Sequence, residues 1–110
     1  MEIAFETLIA SYLEDKIGIA SKFISDDLAQ NLRQNLLILE DQKILVAAGI
    51  GNETKFVQNK KIRGDVIYWL DKSHNNPYET AFLSNIEAFI LYLNASCYAG
   101  ITGYEFHYSL

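Results

Sequence analysis

Glu105 and His107 are the residues of this chain whose types and spacing most directly suggest chemistry. Two apart in an alternating stretch, a carboxylate and an imidazole fall on one side of a strand. There they could share a metal ion or hold a substrate by hydrogen bonds. A metal needs a third ligand and usually a fourth, and the only other histidine, His74, falls in a turn-rich segment. The plain alternative is a polar strand face whose groups bond each other or a neighbouring loop. Cys97 has no histidine close by in sequence to make it a nucleophile. Between a helix end and a glycine turn, it reads as a small buried apolar residue.

Other short motifs carry less. Gly49-Ile50-Gly51 resembles the start of a dinucleotide fingerprint, but Thr54 stands where the third glycine belongs and no βαβ unit surrounds it. Arg63-Gly64-Asp65 spells an adhesion tripeptide, and Asn52-Glu53-Thr54 and Asn94-Ala95-Ser96 match the glycosylation acceptor pattern. All three matter only in an exported protein. Met1 is followed by Glu2 rather than a basic stretch, so no secretory signal is evident. The expected location is the cytoplasm, which the single cysteine, unable to form an internal disulfide, also favours.

The elements that must position these residues follow from periodicity. Phe5, Leu8, Ile9, Tyr12 and Leu13 share a face of a helix from Glu2 to about Asp15. Ile17 and Ile19 around Gly18 suggest a short strand towards Phe23. Ser25, with Asp26 and Asp27 after it, starts a second helix whose buried stripe is Leu28, Leu32, Leu36 and Leu39. The run Ile44 to Ala48 is either a buried strand or a helix end. Residues 49–61 are polar and finally basic, and read as a long exposed loop. Asn76 caps a third helix, with Pro77 at its first position and Glu79 placed for a capping box. Phe82, Ile86, Phe89, Ile90 and Leu93 give that helix a wide apolar face suited to a sheet. In the last segment Tyr104, Phe106, Tyr108 and Leu110 point one way and Glu105, His107 and Ser109 the other.

Bulk properties bound the function. A chain of 110 residues is one domain or part of one, able to bury roughly two-thirds of its unfolded surface. A net charge of −5 argues against general affinity for nucleic acid or anionic membranes. No apolar run approaches the ~20 residues of a membrane span. There is no internal repeat and no domain boundary.

The stretch Lys61-Ile62-Arg63-Gly64-Asp65-Val66-Ile67-Tyr68-Trp69-Leu70-Asp71 is a basic, glycine-punctuated loop running into a strand of β-branched and aromatic residues. With the helix that ends near Leu93-Asn94 and the terminal Tyr104-Glu105-Phe106-His107-Tyr108-Ser109-Leu110, it resembles one family. That family is the prolyl-hydroxylase-like 2-oxoglutarate and Fe(II) dioxygenases, with the hypoxia-factor prolyl hydroxylases and their bacterial relatives. The resemblance runs from about Ala47 to Leu110.

It implies that residues 49–65 form a loop covering the substrate, with Arg63 and Asp65 at its root. Trp69 would stand at the pocket wall, His107 would face the cavity, and Glu105 would support it. The family holds its iron with a His-x-Asp pair and a distant His, and no His-x-Asp occurs in this chain. The chain is therefore expected to be the front portion of an oxygenase, a truncation or a shortened reading frame, inactive alone and itself without a metal site. Fe(II), 2-oxoglutarate and ascorbate as reductant, and a protein or peptide substrate, are implied for the complete parent.

The expected fold is α+β, with helices packed on one side of an incomplete β-sheet, the front part of a double-stranded β-helix (jelly roll). Its last strand would leave an aromatic-rich edge open to self-association. The alternative is a complete small α+β interaction module without a catalytic role.

Overall fold

The computed structural model describes residues 2–47 and 65–110, so Arg63 and the expected loop lie outside the described residues. Among the described residues the fold is α+β, with three α-helices and an open three-stranded antiparallel sheet. In chain order the elements are α1 (Glu2–Asp15), α2 (Asp26–Asp41), β1 (Val46–Ala47), β2 (Val66–Trp69), α3 (Pro77–Cys97) and β3 (His107–Ser109). A single 3-10 turn, Lys72–His74, sits between β2 and α3.

The helix starts follow local chemistry. Ser25 caps α2 by accepting the Leu28 N–H at 3.1 Å, and Asp26 and Asp27 occupy the first turn. Asn76 caps α3 by accepting the N–H groups of Tyr78 and Glu79, with Pro77 next in line. The helix ends are less conventional. Lys16 just past α1, Lys43 just past α2 and Tyr98 just past α3 all adopt positive φ, a region that glycine usually fills.

An aromatic cluster joins α1 to α3. Phe5 of α1 is 2 % exposed and packs against Phe23, Phe89 and Tyr92 with ring centroids 5.0–5.5 Å apart. Such aromatic pairs add about 0.5–1.5 kcal/mol each beyond their buried area. Leu39 of α2, Leu83 and Ile86 of α3 and Tyr108 of β3 are buried as well, and Phe82 of α3 meets Phe106 edge-on at 5.3 Å.

The strand order is β1-β2-β3, with Tyr68 opposite Tyr108 and Trp69 opposite His107. Hydrogen bonds between Val66 and Leu110, and from Leu70 N–H to Phe106 O, carry the pairing one residue past each end of β3. The last strand is therefore shorter at its start than the alternation of residues 104–110 predicts. The apolar run from Ile44 does contain a strand, β1, of two described residues.

Several expectations need correcting. Ile17 and Ile19 form no strand. Both are exposed, and the Ile19 N–H is satisfied by Ser11 Oγ at 2.8 Å rather than by a neighbouring strand. Gly18 lies so close to α1 that an added Cβ would meet Leu8 O at 3.1 Å. Tyr12 and Leu13 complete the apolar stripe of α1 in sequence, yet both are exposed, because burial of α1 centres on Phe5. Cys97, the last residue of α3, is exposed.

Candidate functional site

The β2–β3 pair has two faces, and each gathers polar side chains. On the helix side stand Tyr68 and Tyr108, with ring centroids 6.5 Å apart. Tyr108 Oη accepts a hydrogen bond from Asn35 Nδ2 of α2 at 2.9 Å, and Asn35 Oδ1 accepts one from Asn76 Nδ2 at 3.1 Å. Beneath them lies Glu79, 2 % exposed. Its Oε1 lies 3.0 Å from His74 Nδ1 and accepts the Asp71 N–H at 3.3 Å, while Oε2 lies 3.5 Å from Asn35 Nδ2.

A buried carboxylate survives only when charge and hydrogen bonds replace its water. Here an imidazole, a backbone amide and a side-chain amide do so, drawn from the turn and α2. Burial first, and then the Glu79 charge, push the Tyr68 phenol above its ordinary value. Burial also raises the Tyr108 phenol, opposed by the Asn35 hydrogen bond and assisted by Glu79 and Tyr68. At the turn, the Ser73 N–H bonded to Asp71 Oδ1 at 2.9 Å lowers the Asp71 carboxyl below its usual value.

By strand alternation, Ile67 and Trp69 share the opposite face with His107 and Ser109. Trp69 and His107 meet edge to face with centroids 5.0 Å apart. His107 Nδ1 lies 2.9 Å from Tyr108 O. A carbonyl can only accept, so Nδ1 carries the proton, and in the neutral ring Nε2 is the acceptor. Ser109 Oγ donates to Asp65 Oδ2 at 2.6 Å, which ties the residue entering β2 to the end of β3.

Trp69, His107 and Asp65 are therefore brought to one face. Glu105 sits ahead of β3, exposed, and with Trp69, Asp71 and Lys72 lines a cleft of about 440 Å³. Among the described residues no hydrogen bond or ion pair joins Glu105 to His107. Nor does any group of three or more His, Cys, Asp or Glu among them stand ready to hold a metal ion. The iron that the resemblance implies finds no fit in these residues. No helix described is long and apolar enough to cross a membrane.

Sequence reasoning missed the Glu79 network. Glu79 reads there as half of a capping box, but its carboxylate reaches the Asp71 N–H and His74 instead. A signal was present: His74 and Glu79 flank an Asn-Pro helix start, so the turn must bring them together. Asn94, which reads as a glycosylation acceptor, instead clamps the exit of α3. Its side chain bonds both N–H and C=O of Ile101, at 2.8 and 2.9 Å.

Compared with known proteins, the chain matches no family model and no curated relative.

Proposed function

We propose that this chain is the front part of a 2-oxoglutarate- and Fe(II)-dependent dioxygenase of the prolyl-hydroxylase-like kind, supplying the root of a substrate loop and one pocket wall. In this reading the three-stranded sheet begins a double-stranded β-helix that the helices buttress. The supporting observation is the meeting of Trp69 and His107, edge to face at 5.0 Å, on the sheet face opposite Tyr68 and Tyr108. The two come from separate motifs of the resemblance, about forty residues apart, and strand pairing makes them neighbours.

Each residue then has a task. Trp69 gives the wall an apolar surface that excludes water. His107, fixed by the Tyr108 carbonyl, offers Nε2 to a donor on the bound molecule. Asp65, anchored on Ser109, holds the point where the chain enters β2, two residues after Arg63 in sequence. Glu105 borders the neighbouring cleft. Iron and 2-oxoglutarate would be held by residues outside those described, with a protein or peptide as substrate.

The test is a protein extended through the coding sequence that follows codon 110, supplied with Fe(II), 2-oxoglutarate, ascorbate and oxygen. Succinate release that Trp69→Ala lowers on the order of tenfold supports the reading. A following sequence without a His-x-Asp pair, or no succinate from the extended protein, overturns it.

A second reading, a non-catalytic interaction module, is favoured by one other observation. Leu8, Ile9, Tyr12 and Leu13 of α1 and Phe89 and Leu93 of α3 line an apolar groove of about 420 Å³. Under this reading the Trp69 substitution leaves partner binding intact.

A further inference from the structure

We propose that the cleft between α2 and the sheet binds a small amphiphilic anion, an alkyl or aryl carboxylate, with its carboxylate on Arg33. The site stands on its own observations and does not depend on the oxygenase reading. The cleft encloses about 350 Å³ and is lined by Leu32 and Leu36 of α2, Leu70, Phe82, Phe106 and Arg33, among others. That volume lies at the small end of ligand sites, enough for one short chain or ring and too little for a folded peptide.

The lining sets the chemistry of the occupant's body. Phe82 and Phe106 meet edge to face at 5.3 Å to form an apolar floor. The backbone there is already satisfied, because the Leu70 N–H donates to Phe106 O at 2.9 Å. A polar body would lose its water hydrogen bonds without replacement, so the body must be apolar.

Arg33 sets the chemistry of the head. It is exposed, and among the described residues no carboxylate sits within ion-pair distance of it. Lys22 pairs with Asp26 and Lys72 with Glu87; Arg33, like Lys16 and Lys43, has no ion pair among the described residues, and of these three Arg33 is the one that lines the cleft. A guanidinium fork matches a carboxylate in two parallel hydrogen bonds, which an alcohol or an amine cannot reproduce.

The experiment titrates octanoate, and separately octan-1-ol, into the protein while amide NMR shifts are followed. Saturable shifts at α2 and at residues 106–108, with octanoate about fivefold tighter than octanol, are expected. Arg33→Gln should remove that preference, Arg33→Lys should keep part of it, and added salt should weaken it. Each variant's amide dispersion reports whether the fold is intact, and Arg33 is on the surface. The proposal is overturned if no saturable shift occurs, or if octanol and octanoate bind alike. Indifference to Arg33, or shifts that track protein concentration and so report a second copy in the cleft, would also overturn it.

Discussion

Glu79 receives His74, the Asp71 N–H and Asn35 at 3.0, 3.3 and 3.5 Å, and so links the turn, α2 and α3 beneath the sheet. Glu79→Ala leaves those donors without their acceptor. It should cost about 3 kcal/mol, read as a lower urea midpoint at unchanged slope. Glu79→Gln keeps one acceptor and should cost less. The neighbouring phenols offer a second check. Tyr68 and Tyr108 both hold their protons above the ordinary value of 10.0. The folded state therefore binds more protons than the unfolded one in that range. This contribution to stability is complete below about pH 10 and is lost as the pH climbs through the folded values. An ultraviolet phenolate titration should show two late-ionising tyrosines, and Tyr108→Phe should remove one of them.

At the scale of elements, the helices were legible because their start signals are local. Ser25 before two aspartates and Asn76 before Pro77 place the two N-termini within the residues themselves. Asn76 does more than cap, since its amide also donates to Asn35. Asn76→Ala should therefore cost about 2 kcal/mol, against about 1 for Ser25→Ala, both measured by thermal unfolding. The alternation of residues 106–110 was legible for the same local reason. What stayed hidden was long-range. Nothing local distinguishes Ile17 and Ile19 from a strand, and only the Ser11 hydroxyl, eight residues before Ile19, shows why they are not one. Likewise no pattern in the α1 stripe tells that Phe5 is buried against Phe89 of α3 while Leu13 stays exposed. At the site, Trp69 and His107 come forward in the sequence through the family resemblance, and their pairing across β2 and β3 is seen only in the fold. For Glu79 the sequence holds only the local half of the network, His74 five residues before it; Asn35, 44 residues away on α2, leaves no local mark.

At the scale of the whole molecule, large apolar side chains remain on the surface. Ile3, Leu13, Ile17, Ile19 and Leu91 are all exposed. With β3 at the margin of the sheet, this predicts concentration-dependent self-association, which light scattering coupled to size exclusion should register as a rising mass. A single mass across a wide concentration range would count against it. The three helix ends carry a different consequence. Lys16, Lys43 and Tyr98 each hold a left-handed backbone with a β-carbon in place, at a strain on the order of 1 kcal/mol apiece. Glycine at those positions should relieve part of it, so three surface replacements that touch neither Glu79 nor Trp69 form a ready reserve of heat resistance for whoever needs a sturdier version of this fold.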